Sequence, residues 1–253
     1  MLNVSWDPVL IAISYLVAFI ASFVALDSAG KISLSSRKVA MFWRVAGGIT
    51  LGIGIWSMHF IGMLAMKMPM IMSYHLWLTL LSLGVAVLTS TLAIHIVIPG
   101  NSLSSLRLIL ATLILSAGVV SMHYIGMAAL MLNGGIIWDW NIVGLSVLIA
   151  VIASGAALWL AFHLRDKRKG IFVNRLLAAL VMGAAISAMH YTGMNAAHFH
   201  EMEHTLPGGI SELGLSIWVS VTTLCLLGVM LIMSLIDSHW RTNRLTDNLR
   251  QLN

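Results

Sequence analysis

The chain has 253 residues, of which 59% are hydrophobic types and only 9% charged, with a mean hydropathy of +0.95. Soluble domains carry about 25% charged residues, so this composition excludes one and points to a polytopic membrane protein. The net charge of +5 comes from Lys and Arg confined to a few loops, which fits membrane topology and argues for no nucleic-acid partner.

A helix needs roughly 20 apolar residues to cross the hydrocarbon core. The first such run, 9–26, follows a Met1–Pro8 segment without a basic stretch, so it reads as a span and not as a cleaved signal. It closes on "SFVALD" at 22–27, and the next loop holds Lys31, Arg37 and Lys38. The second run, 43–66, opens with Arg44 and contains "SMHFIGM" at 57–63. Lys67 and the methionines 66, 68, 70 and 72 follow it. The third run, 75–98, carries "STLAIH" at 90–95. The fourth, 106–131, has Arg107 at its start and "SMHYIGM" at 121–127.

Trp138, Asp139 and Trp140 lead into the fifth run, 141–163, with "SGAALW" at 154–159; the two tryptophans are expected to anchor at an interface. Arg165, Lys167, Arg168 and Lys169 come next. The sixth run, 174–198, starts near Arg175 and contains "AMHYTGM" at 189–195. "HFHEMEH", 198–204, reads as a solvated loop, with metal binding or feeding as the sharper alternative. The seventh run, 214–236, holds the lone cysteine, Cys225, which forms no intrachain disulfide. Residues 237–253 are polar, with Leu245, Leu249 and Leu252 at helical spacing.

The predicted fold is therefore all-α and integral to the membrane, with seven transmembrane helices. Lys and Arg gather in alternate loops, which predicts the N-terminus outside and the C-terminus in the cytoplasm. Two parts are expected: a membrane unit at 1–236 and a juxtamembrane linker or tail at 237–253.

Histidines 59, 123 and 190 are 64 and 67 residues apart, and an arginine precedes each by 15, 16 and 15 residues. The helices before them share the weaker pattern quoted above. Spans 1–2, 3–4 and 5–6 thus read as three tandem helical hairpins, with span 7 added. Fifteen residues of helix put each histidine about 22 Å above its arginine, in the outer part of the membrane. The arginines are expected to snorkel to the inner headgroups.

An ionisable group inside a span is functional by default, and three at one depth are natural partners through a metal. His59 and Met63, His123 and Met127, and His190 and Met194 are i, i+4 pairs on one helix face. Met58, Met122 and Met189 point about 100° away and rank below them as ligands. Gly62, Gly126 and Gly193, with Ser57, Ser121 and Ala188, would let the helices approach. Phe60, Tyr124 and Tyr191 are expected mainly as interfacial anchors, with gating or hydrogen bonding at the site as the alternative. Imidazole with thioether points to copper, and imidazole alone suits zinc.

The triplicated motif in alternate helices of a seven-span bundle resembles the MHYT family, and only Met189-His190-Tyr191-Thr192 spells the name. The resemblance covers about 9–236. It implies a bacterial inner-membrane sensor module with copper held by motif His and Met residues. It also implies a diatomic gas such as O2, CO or NO as a signal. Cyclic-di-GMP output, by a diguanylate cyclase or phosphodiesterase domain, is the implied cytoplasmic partner. The lipid bilayer is the other partner, and a homodimer is an open assembly. The sequence contains no catalytic output domain, so the module itself is expected not to be an enzyme. Two alternatives stay open: a zinc-dependent membrane hydrolase, and a copper transporter or chaperone for which Met66, Met68, Met70 and Met72 would supply part of a path.

Overall fold

The computed structural model describes residues 4–32, 35–69, 71–165, 171–201 and 209–251. Met70, Lys167, Arg168, Lys169, Met202, Glu203, His204 and Leu252 lie outside them. Seven helices follow in order: α1 Pro8–Ile32, α2 Arg37–Leu64, α3 Leu76–Val97, α4 Ser105–Ala128, α5 Trp140–His163, α6 Ile171–Asn195 and α7 Glu212–Gln251. Each includes a stretch long and apolar enough to cross a bilayer. The all-α, seven-span architecture expected from composition is the observed one, and it makes the molecule a multi-pass membrane protein.

The ends differ from the hydropathy runs. The helix α2 begins at Arg37, ahead of the run at 43, with the charged Arg37 and Lys38 in its first turn. At their far ends α2, α4 and α6 stop at Leu64, Ala128 and Asn195, before the predicted 66, 131 and 198. There the chain enters short strands: β1 Ser5–Trp6, β2 Met66–Lys67, β3 Met72–Tyr74, β4 Leu130–Leu132, β5 Gly134–Trp138, β6 Ala197–Glu201 and β7 Ile210–Ser211. A short apolar strand beside an apolar helix has no separate hydropathy signal.

The strands cap one end of the bundle. The pairs β1–β2, β3–β4, β5–β6 and β3–β7 are all antiparallel. Each hairpin is therefore closed by the strand before its first helix and the strand after its second. The repeat holds to the residue. The backbone N–H of Asp7 donates to Ala65 O at 2.8 Å, that of His75 to Ala129 O at 2.8 Å, and that of Asp139 to Ala196 O at 2.9 Å. These bonds satisfy carbonyls that a helix C-terminus leaves unpaired. Asp7 and Asp139 also accept from the first turns of α1 and α5, and Pro8 sits at the first helical position, where its missing N–H costs nothing.

Helices α1 to α6 pack in sequence, and α6 packs back on α1, so the three hairpins close a ring. On its inner side α2 meets both α4 and α6. Outside the ring, α7 lies against α2 and α1. Its cover leaves the α2 span 61% buried, against 39% for α4 and 33% for α6.

At the end away from the strands, two of the three repeat arginines, Arg107 and Arg175, cap helix ends. Arg107 donates to Ile96 O, Val97 O and Ser102 O beyond the end of α3. There Pro99 stops the helix and Gly100 turns it at φ +85°. Arg175 donates to Leu164 O and Arg165 O at the end of α5. A guanidinium matched to orphan carbonyls needs no headgroup. Asp27 binds Lys31 at 3.0 Å and Arg175 at 3.2 Å. Ser234 of α7 donates to Asp27, and Lys31 donates to Ser234 Oγ at 2.6 Å and Ser234 O at 2.7 Å. This cluster ties α7 to α1 and α6.

Candidate metal centre

Each motif histidine sits five residues before its helix ends, at His59, His123 and His190. Equal depth in three helices of one ring brings the side chains together. All three are buried, at 0%, 0% and 1% exposure. Nδ1 of His59 lies 3.0 Å from that of His190 and 3.1 Å from that of His123, and the remaining pair is 3.4 Å apart. The rings stand nearly perpendicular, at 77°, 81° and 90°.

An imidazole nitrogen offers one in-plane site, a hydrogen or a lone pair. Three Nδ1 atoms facing one another therefore cannot satisfy each other. One N–H directed between the other two still leaves two lone pairs opposed. A cation between them meets all three lone pairs. Three nitrogens at about 2.0–2.1 Å from one metal in tetrahedral arrangement are about 3.3–3.4 Å apart, close to the observed triangle. The residues present fit a metal by geometry and by donor chemistry. Among the described residues, the three histidines are the group of His, Cys, Asp or Glu whose ligand atoms come within 4.8 Å of one another.

The motif glycines make this approach feasible. A Cβ on Gly126 would lie 2.2 Å from His59 Nε2, on Gly193 2.3 Å from His123 Nε2, and on Gly62 2.3 Å from His190 Nε2. Each glycine receives the imidazole of a neighbouring copy, in a closed cycle. The sequence suggested only close helix packing for them. The small residues two before the histidines do something else. Ser57 accepts from Thr223 Oγ1 of α7 at 2.6 Å, while Ser121 and Ala188 face the exterior.

Met63, Met127 and Met194 are buried one turn beyond the histidines, and Met58, Met122 and Met189 are buried beside them. Met63 is enclosed, Met127 lines a groove with Tyr124 and Trp138, and Met194 lines a pocket with Met66 and His198. Met189 faces a cavity of about 30 Å³ between helices, shared with Ile55, Val119 and Ile186 one turn before the histidines. Leu51, Leu115 and Met182 add a second apolar layer there. An apolar cavity of that size stays dry.

The motif aromatics are built into the ring. Phe60 packs edge-on to Tyr74, Tyr124 to Trp138 and Tyr191 to Trp6, with centroids 6.1, 5.3 and 5.7 Å apart. Each contact joins one hairpin to the next. The Tyr124 hydroxyl lies 2.8 Å from Ser146 Oγ and the Tyr191 hydroxyl 2.8 Å from Ser14 Oγ. Both serines already donate to a carbonyl of their own helix, so the tyrosines are the donors. Phe60 has no hydroxyl. Its counterpart serine, Ser82, instead accepts from Trp56 Nε1 at 3.1 Å. The sequence carried a signal for this in the Trp three residues before His59, legible only once Ser82 is seen beside it.

Residues 52–111, 117–173 and 183–242 each match the model of the MHYT family, described as a bacterial signalling protein N-terminal repeat. The chain is similar to the bifunctional diguanylate cyclase/cyclic di-GMP phosphodiesterase MucR of Pseudomonas aeruginosa, at 46% identity over 100% of this chain and 37% of that protein. It is 33% identical to the signaling protein YkoW of Bacillus subtilis, over 98% of this chain and 31% of that one. It is 36% identical to the cyclic di-GMP phosphodiesterase NbdA of Pseudomonas aeruginosa, over 77% and 25% of the two lengths. The chain thus spans roughly a third or less of these relatives. No solved structure matches it.

Proposed function

The chain belongs to the MHYT family of bacterial signalling proteins, and we propose that it is a membrane sensor module in which His59, His123 and His190 hold one copper ion through Nδ1. The observation that carries this reading is the buried triangle of Nδ1 atoms that cannot satisfy one another. Three imidazoles alone would suit zinc. The buried thioethers of Met63, Met127 and Met194 one turn away, with Met58, Met122 and Met189 ranked after them, favour copper. Bound copper would supply a one-electron couple and a coordination position for a diatomic gas such as O2, CO or NO.

The protein's own residues provide the rest. Apolar layers at Ile55, Val119 and Ile186 keep water from one side of the site. The helix α2 carries His59 and, two residues earlier, Ser57, which binds Thr223 of α7. The helix α7 then runs on to Gln251. A change in packing at the histidines can therefore be passed to α7 and to cyclic-di-GMP output on the cytoplasmic side, the activity that the names of two relatives carry. Lys31, Arg107, Arg165 and Arg175 gather at the end away from the strands. That asymmetry supports a bacterial inner membrane location with the histidines near the periplasmic face.

A zinc hydrolase fits less well. It needs a general base near the metal, and among the described residues the cluster is three histidines without a carboxylate. Asp27 is held by Lys31 and Arg175 at the other end. A transporter would need a run of ligands along the axis, where the layers offer Met182 and Met189 among Leu51, Ile55, Leu115, Val119 and Ile186.

The test is metal content by mass spectrometry on detergent-purified protein. The expected result is a copper content that falls by one ion per chain in each of His59→Ala, His123→Ala and His190→Ala. Zinc in its place moves the reading to the hydrolase, and no metal after copper is supplied overturns it.

A further inference from the structure

Three seams run between the hairpins at the strand-capped end, and the repeat makes them comparable position by position. The seam between the first and second hairpins is sealed, with Phe60, Met63 and Tyr74 fully buried. The seam between the second and third is an apolar groove of about 450 Å³, walled by Tyr124, Met127 and Trp138. The seam between the third and first is a pocket of about 270 Å³ lined by Trp6, Met66, Met194, Asn195 and His198.

Counted from the alanines that accept the three cap bonds, Met66 corresponds to Leu130 and Ala197, and His198 to Lys67 and Met131. Among these related seams, this pocket brings two thioethers and an imidazole together. Asn195 at its mouth is exposed and His198 is half-buried, while Met66 and Met194 are buried at 1% and 2%. The two methionines are therefore enclosed, while Asn195 and His198 keep solvent exposure. Met194 lies one turn beyond His190 on α6.

We propose that Met66, Met194 and His198 form a Cu(I) site in this pocket, through which the ion reaches the three motif histidines. The inference rests on the copper reading of those histidines. Thioether sulfur is a soft ligand that selects Cu(I) over zinc. Two thioethers and one neutral imidazole bring no negative charge, so the ion is held loosely and exchanges. Transfer is a ligand exchange, in which the copper–sulfur bonds to Met66 and Met194 and the copper–nitrogen bond to His198 break as copper–nitrogen bonds to His59, His123 and His190 form. No electron or proton moves.

The experiment uses the full chain in detergent, loaded anaerobically with Cu(I). Three proteins are compared: wild type, a His59→Gln/His123→Gln/His190→Gln variant, and that variant with Met66→Leu and His198→Ala added. The expected contents are two ions, one ion with sulfur scattering in its X-ray absorption spectrum, and none. A triple variant without Cu(I), or retention after the added changes, overturns the pocket site. Wild type binding no more than the triple variant overturns the histidine reading and the transfer, while the sulfur site is still read from the other two proteins. Should the triple variant not fold, Met66→Leu/His198→Ala in the otherwise native chain decides. Loading of the histidines about tenfold slower, to an end point one ion below wild type, supports the pocket, and an unchanged rate and end point overturn it.

Discussion

At the scale of single residues, the motif is a set of space requirements as well as a set of ligands. The Cβ that Gly126→Ala adds would stand 2.2 Å from His59 Nε2, with the imidazole hemmed in by two others. The expected outcome is a loss of about 1–3 kcal/mol in thermal unfolding, together with reduced copper content. Gly84→Ala is the matched control, since nothing lies within 4 Å of its added carbon. A second residue-scale prediction concerns the first copy. Phe60→Tyr adds a hydroxyl where Trp56 Nε1 already uses Ser82 Oγ. It is expected to cost about 1–3 kcal/mol, the range for a buried polar group left unpaired. Adding Trp56→Phe frees Ser82 for the new hydroxyl. The double variant should therefore be more stable than the sum of the singles predicts, and a double-mutant cycle on melting curves reads this directly.

Among the elements, α7 is the one that breaks the threefold pattern. It covers α2, buries Ser57 beside Thr223, and meets Asp27 and Lys31 through Ser234. Asp27→Asn leaves Lys31 and Arg175 without their shared carboxylate. Removing one partner of a fully buried pair costs about 3–5 kcal/mol, and this partly exposed cluster should lose less. The loss should be local, with faster amide hydrogen exchange in α7 and at the end of α1 than in α3 and α4. Equal exchange in all four helices would show that the cluster does not hold α7. Arg107→Met tests a different junction. Four carbonyls, from Ile96, Val97, Pro99 and Ser102, lose their donor, and faster exchange is expected at the end of α3.

For the whole molecule, the ring places three histidines at one depth and leaves basic side chains at the opposite end. The orientation proposed from that asymmetry is tested by fusions at Asn253. A fluorescent protein there should mature and alkaline phosphatase there should be inactive; active phosphatase would place the histidines near the cytoplasm. The ring also has no privileged starting hairpin. The family repeats at 52–111, 117–173 and 183–242 each begin in a motif helix, whereas the strand pairs and alanine bonds group α1 with α2, α3 with α4 and α5 with α6. A closed ring of alternating helices can be divided either way.

Composition and periodicity were enough for the seven spans, their hairpin pairing and the three histidines. These follow from hydrocarbon thickness, helix rise and a repeat visible along the chain. Periodicity also put each second methionine on its histidine's face. It could not say which side chains meet across helices, because that depends on contacts between residues 26 to 207 positions apart. The use of Nδ1, the seating of each imidazole on another copy's glycine, the substitution of Trp56 for a tyrosine hydroxyl and the Asp27 cluster are all of that kind. The short strands were hidden for another reason, since an apolar run reads the same whether its last residues are helix or strand. The three seams differ in sequence, Met66 standing where the others have Leu130 and Ala197, but only the folded ring decides which is sealed, which is an apolar groove and which is a pocket lined by Met66, Met194 and His198.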